Sequence, residues 1–256
     1  MTPIPLKSPT ELRLMRTGGR RLAQIRAKLL KAVRPGVTGL QIEALAQKLI
    51  KKAGGQPSFP TVKGYHWATC INVNQGVVHG IPTAYRFQPG DLVTIDVGLL
   101  YQGFHTDCSA SILVKGNQPP PAFKQRFLNV GRLALKKAIQ QAVPGHRIGH
   151  ISSAIETTLK KAGYSPIRVL TGHGIGRRLH EPPPIPGFLA GPLSQTPLIK
   201  KGMTLAIEVI YALGKPEVVT APDGWTIQTQ DGKIAAVFEE TIAVLDDGPL
   251  ILTSFP

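Results

Sequence analysis

A chain of 256 residues with 42 % hydrophobic side chains can bury a sizeable core, as one large domain or two small ones. No apolar run nears the roughly 18 residues of a membrane span, MTPIPLKSPTELRLMR lacks the apolar centre of a signal peptide, and Cys70 and Cys108 build no disulfide framework, so a reducing cytoplasm without membrane attachment is expected. The formal net charge of +15, with nine Lys/Arg against Glu11 alone in residues 1–36, fits either a solvated basic face or contact with polyanions such as ribosomal RNA.

Ser8-Pro9-Thr10-Glu11 has the form of a capping box with proline at the first helical position, which predicts a helix to about Val33. Thr38-Gly39-Leu40-Gln41 opens a second helix, ended by Gly54-Gly55. Strand-like segments follow at Ala68–Val73 and across Leu92–Val114, the latter folded at Tyr101-Gln102-Gly103. Helical patterns return at Ala122–Ala142 and Ile148–Ala162, then strands at Met203–Leu213 and Ala235–Leu245.

Helices then strands thus occur twice, and the two rounds match in sequence. Pro35-Gly36 recurs as Pro144-Gly145, Ile42 as Ile151, and Lys51-Lys52-Ala53-Gly54 as Lys160-Lys161-Ala162-Gly163, each pair 109 residues apart. Gly90–Val97 aligns with Gly202–Val209, setting Asp96 against Glu208, and Asp107-Cys108-Ser109 resembles Glu239-Glu240-Thr241. A turn centred between Tyr101 and Gln102 would set Asp96 directly opposite Asp107, where two bare carboxylates about 5 Å apart repel by roughly 3 kcal/mol at an effective dielectric of 20. If the halves pack about a pseudo-twofold axis, Asp96, Asp107, Glu208 and Glu239 converge. Such a cluster calls for divalent cations, against the ordinary alternatives of helix caps and salt bridges.

His79 lies in VVHGIP, His173 in TGHGIG and His180 in LHEPP, and the flanking glycines allow close approach by backbone or ligand. Five blocks, CINVNQGVVHGIP, VTIDVGLLYQGFHTDCS, TGHGIGRRLHEPP, GMTLAIEV and DGWTIQTQDGKIAAVFEETIAV, run in one order and resemble the type I methionine aminopeptidases over nearly the whole chain. The resemblance implies the α+β pita-bread (creatinase/aminopeptidase) fold: an antiparallel sheet core covered by helices, with internal pseudo-twofold symmetry. It implies a single catalytic domain over residues 1–256, in halves of roughly 1–115 and 116–256.

Carried over by motif, Asp96, Asp107, His173, Glu208 and Glu239 would ligate two divalent metal ions per chain. Asp107 and Glu239 would bridge, Asp96 would bind one ion, and His173 with Glu208 the other. A donor set with one imidazole favours Mn²⁺, Fe²⁺ or Co²⁺. The implied reaction is attack of metal-activated water on the first peptide bond, removing initiator methionine before a small second residue. Glu208 would shuttle the proton, His180 would hydrogen-bond the scissile carbonyl and His79 would contact the amide nitrogen. Tyr65, Cys70 and Trp225 match the methionine pocket. N-terminal methionyl peptides and nascent chains would be the substrates of a monomeric enzyme, and its own Met1-Thr2 start fits the rule. The sequence departs from the family's common residues at Leu179, Val209, Ile210 and Glu240, and strand parity turns Glu240 away from Glu239. His105 shares a face with Asp107, as support or packing. Two rivals stay open: a related peptidase acting on Xaa-Pro or another N-terminal residue, and a non-catalytic ribosome- or RNA-binding protein of the same fold.

Overall fold

The computed structural model describes residues 3–254, so Met1-Thr2 lies outside the described residues. Helix α1 (Pro9–Ala32) starts at the expected capping box: the Ser8 hydroxyl accepts from the Glu11 N–H and the Glu11 carboxylate accepts from the Ser8 N–H. Helix α2 (Gly39–Lys52) repeats the device with Thr38 and Gln41, each such cap contributing about 1 kcal/mol. In the second half α3 (Ala122–Gln140) has no side-chain cap, and α4 (Ile148–Lys161) is opened by His150, whose Nδ1 accepts from the Arg147 N–H. Past the ends of α2 and α4, Gly54 and Gly163 sit at φ 70° and 82°, a left-handed conformation that any side chain would strain. The repeated Lys-Lys-Ala-Gly is therefore a repeated helix stop.

The strands in chain order are β1 (Gln56–Pro57), β2 (Thr69–Val73), β3 (Gly76–Val78), β4 (Leu92–Tyr101) and β5 (Phe104–Leu113) in the first half. The second half holds β6 (Ser165–Pro166), β7 (Thr171–Gly174), β8 (Glu181–Pro186), β9 (Thr204–Ala212), β10 (Val218–Thr220), β11 (Ile227–Thr229), β12 (Ala235–Leu245) and β13 (Gly248–Ile251). A four-stranded sheet runs β1-β4-β2 with β5 on β4, and a six-stranded sheet runs β13-β12-β9-β7-β8 with β6 on β9. Strand β1 pairs Gln56 with Leu100, and β6 pairs Ser165 with Ala212, so the sequence repeat is also a repeat of strand pairing.

Alternation decides which side chains meet the helices. Val93, Ile95, Val97 and Leu99 pack with Leu22, Ile25, Ile42 and Ile50, while Leu205, Ile207, Val209 and Tyr211 pack with Phe127, Leu135, Ile151 and Ile155. Asp96 and Glu208 stand between these residues in sequence and so point to the opposite side of their sheets. This is the pita-bread arrangement that the resemblance implied, two helix-backed half-sheets with their acidic faces turned inward.

The hairpin register corrects one expectation. The loop between β4 and β5 is the two residues Gln102-Gly103, at φ 48° and 79°, closing on Tyr101 opposite Phe104. Positive φ at both central positions is the turn that matches strand twist. Asp96 therefore opposes Ser109, and Asp107 opposes Gly98; the two carboxylates are diagonal neighbours on one face, not a direct pair. In the second half Glu208 does oppose Glu239 directly. Structurally the partner of Glu239 across the pseudo-twofold is thus Ser109, and the sequence match of Asp107 with Glu239 is two residues out of step.

Lys7, in the segment before α1, forms a buried ion pair with Glu181 at the start of β8, with side chains 5 % and 4 % exposed. The Lys7 N–H also donates to the Gly202 carbonyl at 2.7 Å. Replacing Glu181 by Gln would leave an uncompensated buried cation, which costs about 3–5 kcal/mol. A urea titration of Glu181→Gln is expected to show that loss as a lower midpoint; an unchanged midpoint would contradict it.

Candidate metal centre

A cavity of about 140 Å³ opens on the inner faces of both half-sheets. All ten residues singled out from sequence line it: Asp96, Asp107, His173, Glu208 and Glu239, the histidines His79 and His180, and Tyr65, Cys70 and Trp225. Phe59, Val62, Val78 and Leu179 complete the wall.

The acids come from four strands. Asp107 and Glu239 are 5 % and 2 % exposed, and Asp96 and Glu208 are partly buried. Asp96 Oδ1, Asp107 Oδ1 and Glu239 Oε1 are buried without a hydrogen-bond partner among the described residues. Desolvation pushes Asp107 up to about 7. It also holds Asp96, Glu208 and Glu239 well above the ordinary carboxylate range, and the Asp107 charge adds to the shift of all three. Among the described residues lining the cavity there is no lysine or arginine to offset them. Arg26 reaches the Glu239 carbonyl and the Glu240 carboxylate from behind the sheet, at 3.1 and 2.7 Å. Glu240 therefore faces the helices, as parity required.

His173 sits opposite Ala206, diagonal to Glu208 on one face of the sheet. Its Nδ1 lies 2.8 Å from the Gly174 carbonyl, to which it donates, and its Nε2 is 3.5 Å from Glu208 Oε1. That tautomer leaves the Nε2 lone pair for a ligand. Burial keeps the imidazole neutral, with its pKa down to about 4, helped by the neighbouring His180. Asp107, His173 and Glu239 each offer a donor atom, all within 4.8 Å of one another. Asp96 lies outside that trio but beside Asp107. The glycines around His173 serve backbone contact, since a Cβ on Gly172 would stand 2.5 Å from the Ala206 carbonyl oxygen and one on Gly174 2.2 Å from that of Pro182.

His79 and His180 are exposed at the cavity mouth, and partial desolvation lowers both pKa values. His79 holds φ 57°, an uncommon conformation for a non-glycine residue and of the kind that clusters at functional sites. The His180 ring meets His173 edge-on, with centroids 4.6 Å apart. Tyr65 donates to the Thr69 carbonyl at 2.8 Å and is edge-on to Trp225 at 5.1 Å. Cys70 opposes Asp96 across β2 and β4, and burial first, then the Asp96 charge, keeps it a thiol. These residues give one end of the cavity an apolar, polarisable wall.

Comparison with known proteins identifies the family. The model of metallopeptidase family M24 matches residues 13–246. The chain is 38 % identical over 250 residues to a methionine aminopeptidase of Clostridium perfringens, covering 98 % of each chain. It is 40 % identical over 247 residues to methionine aminopeptidase 1 of Bacillus subtilis, covering 96 % of this chain and 98 % of that one. The chain belongs to metallopeptidase family M24. The crystal structure of a methionine aminopeptidase from Thermotoga maritima superposes with a TM-score of 0.94 at 38 % identity, covering 99 % of this chain and all of that one. The prolidase of Pyrococcus furiosus shares the fold, with a TM-score of 0.78 at 22 % identity over 98 % of this chain and 66 % of that one.

M24 membership implies divalent-metal binding, and the residues present suit it. Three buried carboxylate oxygens lack partners, an imidazole nitrogen is free, and the donors are oxygen-rich. Among the described residues no helix is long and apolar enough to cross a membrane. Of the departures from the family's common residues, Leu179 lines the cavity and Ile210 packs with Val78, which lines it, whereas Val209 faces the helices. His105 lies outside the cavity lining, its Nδ1 3.0 Å from the Ser58 hydroxyl. Phe59, Val62 and Val78 went unread because an apolar residue in a loop or short strand carries no periodic signal.

The raised acids set a pH dependence for the metal-free protein. A carboxyl whose pKa is higher folded than unfolded contributes stability below the unfolded value and loses it as pH rises through the folded one. For Asp107 that range runs from 3.8 to about 7. His173 acts in the opposite sense only below 6.5. With chelator present, the melting temperature is expected to fall as pH rises above 6.5, and excess Mn²⁺ to remove the fall. A flat profile in chelator would contradict the burial of charge described here.

Proposed function

We propose that this protein is a metal-dependent aminopeptidase that removes the initiator methionine from nascent proteins whose second residue is small. One observation carries the reading: five ligand-type side chains from both halves line the same small cavity as two histidines and an apolar Tyr65–Cys70–Trp225 wall. Asp96, Asp107, His173, Glu208 and Glu239 would hold two divalent cations, with Mn²⁺, Fe²⁺ or Co²⁺ suited to one imidazole among four carboxylates. When bound, such cations supply positive charge that acidifies water and stabilises the developing oxyanion.

The chain's own residues do the rest. Glu208 accepts the proton of the attacking water and returns it to the leaving amine. His180, neutral because partial burial disfavours its cation, donates its ring N–H to the scissile carbonyl oxygen. His79 orients the peptide nitrogen. Tyr65, Cys70 and Trp225 enclose the thioether and exclude water from it. The cytoplasm and a monomeric state belong to the same reading. So does contact with ribosomal RNA through the exposed cations of α1, among them Arg13, Arg16, Arg20, Lys28 and Lys31.

Peptides beginning Met-Gly and Met-Ala are expected to be hydrolysed in Mn²⁺, and those beginning Met-Lys or Ala-Pro to be spared. Preference for Ala-Pro would transfer the protein to the proline-specific relatives. Asp107→Ala is expected to lose bound metal and Met-Ala-Ser hydrolysis together, as metal analysis and a rate assay on one preparation will show. His180→Ala is expected to keep its metal while kcat falls by about 10²–10³, the usual cost of one oxyanion donor; equal rates would remove its role.

A further inference from the structure

Strands β5 and β12 lie side by side where the halves meet, yet they belong to different sheets with no ladder between them. Side-chain hydroxyls stitch this seam instead. Thr241 Oγ1 accepts from the Asp107 N–H at 2.9 Å and donates to the Asp107 carbonyl at 2.8 Å. Ser111 Oγ accepts from the Val237 N–H at 2.9 Å and donates to the Val237 carbonyl at 2.9 Å. Given the register that equates Ser109 with Glu239, Ser111 is the pseudo-twofold counterpart of Thr241, and Val237 that of Asp107. The same device is thus used twice, once on a cavity carboxylate and once on a valine.

We propose that the Thr241 hydroxyl is a positioning residue of the metal centre, fixing the separation at which Asp107 and Glu239 share a cation. The inference rests on the ligand set proposed above. Thr241 follows Glu239 by two residues on the same face of β12, so one residue carries both the grip on Asp107 and the spacing to Glu239. It is fully buried, and its branched Cβ restricts χ1, which aims the hydroxyl without a search. Its N–H donates to Thr253 Oγ1 at 3.0 Å, and Thr253 in turn bonds Glu240, the partner of Arg26. The main chain that carries the hydroxyl is therefore anchored as well. Ser109, by contrast, has a buried Oγ with no partner, so a hydroxyl near the acids is not enough; its aim is what counts.

The pseudo-twofold supplies a control. Thr241→Val and Ser111→Ala each delete one hydroxyl and two seam bonds, Ser111→Ala losing in addition the 2.6 Å bond to Thr94 Oγ1, and MnCl₂ titrated calorimetrically into each chelator-stripped full-length variant reads the consequence, with circular dichroism melts alongside. Thr241→Val is expected to weaken Mn²⁺ binding by about 10–100-fold, the usual effect of removing a group that holds a metal ligand. Ser111→Ala is expected to bind as the parent does, and Thr241→Ser to recover affinity. Parent-like binding by Thr241→Val overturns the proposal, and so does an equal loss in Ser111→Ala, which would mean general loosening of the seam. Should Thr241→Val fail to fold, Thr241→Cys is compared with Thr241→Ser by the same criteria. Asp107→Ala separates the two layers: if it keeps Mn²⁺ affinity the ligand reading fails, whereas if it loses affinity and Thr241→Val does not, only the present proposal fails.

Discussion

Four carboxylates facing one small cavity are the constraint on which the rest of this structure depends. Each pays desolvation on burial and repels its neighbours, by roughly 3 kcal/mol at about 5 Å and an effective dielectric of 20. Proton uptake relieves part of that cost, which is why burial moves Asp107 up to about 7. Divalent cations relieve it without surrendering the charge, and three partnerless oxygens stand ready to take them.

The scaffold keeps these acids from escaping to water. Apolar neighbours on β4 and β9 alternate with Asp96 and Glu208, so turning either strand over to expose the acid would expose four core residues. Of the helices that cover those core residues, α2 and α4 are closed at both ends, by a side chain at the start and a left-handed glycine past the finish. Arg26 shows the division of labour, donating to the Glu239 main chain from the helix side while the Glu239 carboxylate faces the cavity. The fold thus separates a cationic exterior from an anionic interior within the thickness of one strand.

The two halves are copies in pairing but not in chemistry. Matching strand pairs and helix stops repeat, whereas Asp107 has Val237 as its structural counterpart and Glu239 has Ser109. A symmetric frame with an asymmetric set of donors places a single imidazole, His173, on one side of the cavity. The mouth residues His79 and His180 also come from opposite halves, so the substrate would be held across the same seam that brings the acids together.

Much was legible in the sequence because its causes are local. The capping boxes at Ser8 and Thr38, the stops at Gly54 and Gly163, and the alternation along β4, β9 and β12 all act within a few residues, and the expected elements fall within a residue or two of those observed. The candidate residues were legible as motifs, though their roles came from resemblance and not from periodicity. Tertiary structure alone decided the register of β4 on β5, since Tyr101-Gln102-Gly103 offers more than one two-residue turn and a shift of the turn by one residue keeps every side chain on its face while moving Asp107 from Asp96 to Gly98. It alone decided which hydroxyl grips Asp107, and that Phe59, Val62 and Val78 wall the cavity. Those contacts join residues far apart in the chain, and no short stretch of sequence holds the energy that selects them.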